Sequence, residues 1–246
     1  MGVVAIAATR PLPPTLVTRF AIPPPWTALP AHRRTFTVEQ VRRRCVDLPP
    51  PSQRTLGHDV SAPRDAGVLV PIVDLEGEAA VVCTRRPATM TFHRGDWVFP
   101  GGRVDAAVDD GPEAAARREA AEELGVPSAA IDVVGALDAH GPIVTGFVLH
   151  PFVGIVAAGT VLEPDPHEVD DVAIVPISQL LAPGSYRTDD ELPDHEPGPT
   201  AAVGVRPAIL NRTHGNLSFF VVRDGEELWG TQGEILYDLL AHLVDR

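Results

Sequence analysis

FPGGRVDAAVDDGPEAAARREAAEELGV, residues Phe99 to Val126, decides the fold. It opens on a Gly-Gly turn, Gly101-Gly102, at the end of an apolar run, and it closes on a helix. Pro112 suits the first helical position, where its missing N–H costs no hydrogen bond. Asp110 or Gly111 can cap ahead of it, and Gly125 ends the helix in the left-handed cap position. The alanines between them carry strong helix propensity. Glu119, Glu122 and Glu123 stand at i, i+3 and i+4, so their carboxylates leave one face of the helix.

Three carboxylates within one turn repel each other. At a separation of about 6 Å and an effective dielectric of about 20, each pair costs roughly 3 kcal/mol. A solvated acidic face dilutes that repulsion, but such faces usually carry Lys or Arg four residues on. Here Glu119 is followed at i+4 by Glu123, and Glu122 by Val126. Arg117 and Arg118 lie N-terminal to the glutamates, the less favourable order. A hard divalent cation, Mg²⁺ or Mn²⁺, would relieve the repulsion. Spacing alone leaves a metal site and a solvated face both open.

The run Arg118-Glu119-Ala120-Ala121-Glu122-Glu123-Leu124-Gly125-Val126 resembles the second half of the Nudix box, Arg-Glu-apolar-any-Glu-Glu-any-Gly-apolar, at every fixed position. The first half departs from the pattern. Where the Nudix box has a Glu eight residues before the Arg, this chain has Asp110, and where it has a Gly six residues earlier, Val104. The Gly101-Gly102 pair lies two residues further upstream, as a two-residue insertion around Asp105 to Asp109 would produce. A second motif precedes it: Val82-Cys83-Thr84-Arg85-Arg86-Pro87, then Gly95, then Phe99-Pro100-Gly101-Gly102. It is similar to the signature of the coenzyme A pyrophosphatase branch of Nudix enzymes. Pro87 replaces a Ser of that signature and Thr91 replaces an Arg. His93 or Arg94 could supply the positive charge instead.

The acidic balance, a net charge of −13, argues against an extended nucleic-acid surface. Any phosphorylated anion must be met by metal ions and a few local arginines. The two cysteines, Cys45 and Cys83, fit no metal or redox spacing. Their expected reduced, partly buried state points to the cytoplasm. No apolar run approaches a membrane span, and the first residues lack the layout of a signal peptide. The nine histidines show no zinc spacing, and neither a nucleophile elbow nor a phosphate-binding P-loop is present.

Residues 1 to about 30 are Pro-rich, which forbids regular helix. They read as an arm over the domain with Phe20 and Trp26 as anchors. Thr37-Val38-Glu39-Gln40 resembles a capping box for a short helix to Cys45. A loop then runs to about Ala66. The organisation expected is a Pro-rich extension over 1–65 and a catalytic domain over 66–246. Gly67 to Val73 and Ala79 to Thr84 read as a hairpin. Trp97 to Phe99, Ile131 to Gly135, Thr145 to Ala157, Val172 to Val175 and Leu217 to Val222 read as further strands. Ile177 to Leu181 starts a helical turn. Ile235, Leu236, Leu239, Leu240 and Leu243 recur at helical spacing, as core packing does. Leu181 to Asn216, rich in Pro, Gly and acids, is either a lid or a surface insertion. Strands and helices without regular βαβ repeats give an α+β fold with a mixed sheet. The Nudix resemblance implies an α/β/α sandwich.

That resemblance also implies an activity: metal-dependent hydrolysis of a nucleoside diphosphate linked to a further group, in which water attacks one phosphorus. It makes Glu119, Glu122 and Glu123 the Mg²⁺ or Mn²⁺ ligands. Arg118 would orient a glutamate, and Gly101-Gly102 would let the backbone pass close to helix and metal. For the general base, Glu119 and Glu168 are both candidates. Arg86 and His93 are candidates for binding substrate phosphate. The substrate classes open are coenzyme A or its acyl esters, or else ADP-ribose, NADH or a nucleoside triphosphate. A non-catalytic Nudix-fold module ranks last, because all three helix glutamates are present. The partner expected is a small molecule, with no nucleic acid and no membrane. Nudix enzymes are often dimers, so a homodimer is among the states the resemblance allows.

Overall fold

The computed structural model describes residues 23–54, 61–90, 94–143, 145–188 and 218–245. Phe20, His93 and the acidic stretch 189–217 lie outside the described residues. Within them, twelve strands join in one mixed sheet. In chain order they are β1 (Gln53–Arg54), β2 (Arg64–Leu75), β3 (Glu78–Arg85), β4 (Trp97–Val98), β5 (Gly101–Arg103), β6 (Ile131–Ala136), β7 (Ala139–His140), β8 (Phe147–Val156), β9 (Asp171–Pro176), β10 (Tyr186–Thr188), β11 (Ser218–Arg223) and β12 (Glu226–Trp229). The helices are α1 (Val38–Val46), α2 (Pro112–Leu124), α3 (Ile177–Leu180) and α4 (Thr231–Val244).

The centre of the sheet is β2. It runs parallel to β8 and antiparallel to β3 and β5. Along β2 the residues alternate between two buried faces. Val68, Val70 and Ile72 join a core with α1 and α4, while Leu69, Val73 and Leu75 join a second core with α2. Strands β3 and β9 divide in the same way: Val81 and Val175 face the first core, Val82 and Ile174 the second. Burial on both faces is why these strands read as unbroken apolar runs rather than alternating ones. Helices on both faces of a mixed sheet make the sandwich that the sequence implies.

Helix α2 begins at Pro112 and ends at Gly125, whose φ of +63° is the left-handed cap. Ala115, Ala116, Ala120 and Leu124 are buried. These small side chains bring the helix close to β2. At the closest point Gly67 carries no Cβ. A methyl group there would sit 2.5 Å from the amide nitrogen of Ala116, and closer still to the Pro112 carbonyl oxygen.

On the other face, the expected capping box at Thr37 is formed, with Gln40 N to Thr37 Oγ1 at 3.2 Å and Thr37 N to Gln40 Oε1 at 2.8 Å. Trp26 is buried against Tyr186, Phe220 and Tyr237. Cys45 and Cys83 are free and buried. His140 of β7 is also fully buried, with Nδ1 at 3.4 Å from Glu234 and Nε2 at 3.5 Å from Asp238, both on α4. Burial pulls its pKa down, but these carboxylates outweigh it and hold His140 above its usual value. Arg54 of β1 reaches the same Asp238 at 3.0 Å. Strands β1, β7 and β10, two or three residues each, are too short to show any periodicity in the sequence.

The contact at Gly67 gives a direct test. Gly67→Ala overpacks the α2–β2 seam and should cost about 2 kcal/mol. Thermal unfolding should show this as a fall of roughly 4–8 °C in melting temperature; an unchanged midpoint would mean that the helix moves away without cost.

Candidate active site

The Gly-Gly pair does not form the turn expected from the sequence. It is strand β5, in register with β2 so that Gly102 lies opposite Gly67 and Gly101 opposite Val68. The strand forms because neither glycine offers a side chain to the helix or to β2. A Cβ on Gly102 would sit 2.5 Å and 2.7 Å from the Glu119 carboxylate oxygens. The Gly101 N–H donates to Glu123 Oε1 at 3.4 Å. Two helix glutamates thus lie against bare backbone.

The three glutamates differ in exposure. Glu123 is buried, Glu119 is partly buried, and Glu122 is exposed. Burial pushes the Glu123 carboxyl up to about 8; the Gly101 N–H and Arg86 pull it down, and Glu119 and Glu168 push it further up. Glu119 is also raised, first by burial, against the opposing Arg118, with Glu122 and Glu168 adding to the rise. Glu168 therefore shares a field with both helix glutamates, although it lies 45 residues beyond Glu123 and 49 beyond Glu119 in the chain. Arg86 faces the same group, and its buried Nε has no hydrogen-bond partner among the described residues.

The segment that carries Glu168 is tied down at both ends. Asp165 N donates to the Glu123 carbonyl oxygen at 3.1 Å, and Glu168 N and Val169 N donate back to Asp165 O at 3.0 and 2.8 Å. Beyond it, Asp170 N donates to Arg85 O at 2.8 Å. The Arg85 guanidinium returns two hydrogen bonds to Asp170 Oδ2, at 3.1 and 2.8 Å. Arg85 and Arg223 each lie over the Trp97 ring, and Trp97 Nε1 donates to Glu226 at 2.8 Å.

Arg118 organises the exposed side. Its Nε and Nη2 donate to the two oxygens of Asp109, both at 2.9 Å. Its Nη1 donates to Glu119 Oε1 at 2.9 Å and to Glu122 Oε2 at 3.2 Å. The Arg118 guanidinium holds the buried Asp109 carboxyl below its usual range. Asp110, which stands where the Nudix box has its upstream Glu, is exposed, and its neighbour Asp109 makes the pair. The inserted residues make a turn, closed by Asp109 N to Asp105 O at 2.7 Å and Asp105 N to Asp109 Oδ2 at 2.8 Å, and this rotates Asp109 inward. The adjacent Asp-Asp pair was the available signal. A cavity of about 360 Å³ opens beside Arg118, lined by Arg103, Asp105, Val108, Glu119 and Glu122.

Among the described residues no three His, Cys, Asp or Glu side chains stand ready in ligand geometry. Arg118 occupies the space between Glu119 and Glu122. The donor set nevertheless suits a hard cation, because buried carboxylates that push each other toward the neutral form are stabilised as anions by a divalent ion. Glu119, Glu122 and Glu123 carry carboxylate oxygens of the kind such an ion takes.

The model of the NUDIX domain matches residues 63–194. The chain is 36% identical over 148 residues to the Nudix hydrolase NudL of Photorhabdus laumondii, covering 59% of this chain and 74% of that protein. It is 36% identical over 160 residues to NudL of Escherichia coli, covering 64% and 78%. A MutT/nudix family protein from Enterococcus faecalis has a similar fold with a TM-score of 0.48 at 16% identity, covering 77% of this chain and 65% of that one. The chain belongs to the Nudix family, whose enzymes are pyrophosphohydrolases of nucleoside diphosphate derivatives and generally use divalent metals such as Mg²⁺ or Mn²⁺.

The Asp109–Arg118 pair predicts a pH signature. A carboxylate held below its usual range stabilises the fold at all pH values above its unfolded-state pKa, about 4, and that contribution is lost as pH falls toward the lower folded value. Asp109→Asn should therefore lower the urea midpoint at pH 7, and the gap from the parent protein should close below about pH 4. A gap that does not change with pH would show that the pair adds nothing beyond shape.

Proposed function

We propose that the chain hydrolyses the diphosphate linkage of coenzyme A or its acyl esters. The observation that carries the catalytic reading is the meeting of Glu119, Glu123, Glu168 and Arg86 around the Gly101–Gly102 strand. The substrate reading is supported by the motif from Val82 to Gly102.

Glu119, Glu122 and Glu123 would hold Mg²⁺ or Mn²⁺. When bound, the ion neutralises diphosphate oxygens and lowers the pKa of the attacking water. Glu168 is the general base and takes the proton of that water at its carboxylate; the tethers on either side fix its position. Arg86, whose buried Nε has no partner among the described residues, binds a diphosphate oxygen. Arg118 keeps Glu119 in place and has no direct part in the chemistry. Attack at one phosphorus breaks the phosphoanhydride bond and releases two phosphate monoesters. Residues 66–246 form the catalytic unit in this reading, against which Trp26 of the preceding segment packs.

The test is incubation with Mg²⁺ or Mn²⁺ and a panel of coenzyme A, ADP-ribose, NADH and nucleoside triphosphates, with products separated by chromatography. Coenzyme A should yield 3′,5′-ADP and 4′-phosphopantetheine. Cleavage of ADP-ribose while coenzyme A survives would overturn the substrate reading.

The exposed Glu122 separates catalysis from stability. Glu122→Gln should lower turnover by orders of magnitude, yet leave the melting temperature nearly unchanged, as exposed substitutions do. Unaltered turnover would remove Glu122 from the ligand set.

A further inference from the structure

Between β4 and β5 the chain crosses from one part of the sheet to another. Trp97 and Val98 pair with Arg85 and Thr84 of β3, and Trp97 also lies beside Leu228 of β12. By Gly101 the chain has joined β2, opposite Val68. Phe99 and Pro100 make the crossing, outside both strands. How they are held decides where Gly101 sits, and the Gly101 N–H is the donor that meets the buried Glu123 carboxylate.

Each crossing residue has a backbone anchor. Pro100 has no N–H to give; its carbonyl oxygen accepts from Leu69 N at 2.9 Å. Phe99 is buried, and its N–H donates to the side-chain oxygen Oε1 of Gln232 at 3.2 Å, across 133 residues of sequence. A buried N–H without an acceptor is costly, so this side chain takes the part that a ladder carbonyl plays inside a strand.

Gln232 is itself firmly placed. It is the second residue of α4 and follows directly on the turn at Gly230, whose φ is +64°. Strand β12, which leads into that turn, runs parallel to β4 and so brings the start of the helix to the end of β4. The next residue, Gly233, lets the first turn of α4 settle on β11, where a Cβ would collide with the Ser218 carbonyl oxygen. The Gln232 amide therefore reaches Phe99 from a rigid element, as a group that fixes a site must.

We infer that Gln232 is a positioning residue for the hydrolysis: by holding the Phe99 N–H it sets the start of β5 so that the Gly101 N–H aims the Glu123 carboxylate. It acts through the backbone and has no contact with the reacting atoms. Its consequence for turnover rests on the hydrolase reading, whereas its consequence for the Gly101 backbone does not.

The test compares Gln232→Leu, which keeps the helix propensity but has no acceptor, with Gln232→Glu, which keeps an acceptor oxygen. Amide hydrogen exchange of the full chain, followed by NMR, reads the backbone; kcat and KM read the reaction. In Gln232→Leu the Phe99 and Gly101 amides should exchange about tenfold faster, the scale of one lost hydrogen bond. The amides of Val82 in β3 and Val153 in β8 should keep their parent rates. Turnover should fall about tenfold with KM little changed, and Gln232→Glu should restore both exchange and turnover. Thr37→Ala, which removes the α1 cap, controls for general destabilisation and should leave Gly101 exchange and kcat at parent values. Faster exchange confined to Phe99, or a Glu variant as impaired as the Leu variant, would overturn the assignment. So would equal losses in Thr37→Ala. A parent protein that hydrolyses none of the panel would sink the functional reading alone, because Gly101 exchange still decides whether Gln232 places that strand.

Discussion

Two positions without a Cβ, Gly67 and Gly102, set the distance between helix α2 and the sheet. At Gly67 the helix backbone rests on β2 with no room for a methyl group, and at Gly102 the Glu119 carboxylate occupies the space where a side chain would be. Everything polar in the site follows from that closeness. Glu123 can reach the Gly101 N–H only because the helix lies so near, and burial there raises its pKa. A buried carboxylate is unfavourable unless something compensates it. Within the chain the compensation comes from a backbone N–H and Arg86, and the divalent ion proposed for the site would add to it.

Arg118 has the opposite task. It spans Asp109, Glu119 and Glu122, so the carboxylates on the open side are neutralised by the chain itself. The site thus has a buried half around Glu123, with Arg86 beside it and the exposed Glu168 at its edge, and an open half around Arg118. The asymmetry is useful to a hydrolase. The buried half and its edge can fix a base and a phosphate oxygen, while the open half leads into cavities lined by Arg103 and Arg64.

Much of this was legible in the sequence because it depends on local rules. Pro112 and Gly125 bound helix α2 where expected, Thr37 caps α1, and the apolar stripe from Ile235 to Leu243 is buried as α4. The long central strands were legible because burial on both faces makes their composition apolar throughout. What was not legible depends on close approach and register. No periodicity in Gly-Gly-Arg marks it as a strand, because β5 exists through what its glycines lack. Asp109 rather than Asp110 meets Arg118 because the inserted turn rotates the chain by one residue, a rotation that spacing cannot encode. Glu168 was a candidate from its place at the entry to a strand, in spite of its acidic surroundings, and what brings it toward Glu119 and Glu123 is the tether between Asp165 and Glu123.

The claim beneath the whole account is that carboxylates crowded against bare backbone are held as anions by a divalent ion. Calorimetric titration of the chain with Mn²⁺ addresses it most directly, run beside Glu119→Gln and Glu123→Gln. The account predicts saturable uptake by the parent protein and much weaker uptake by both variants, with all three proteins equally folded. No saturable uptake by the parent, or uptake that both variants retain in full, would contradict it.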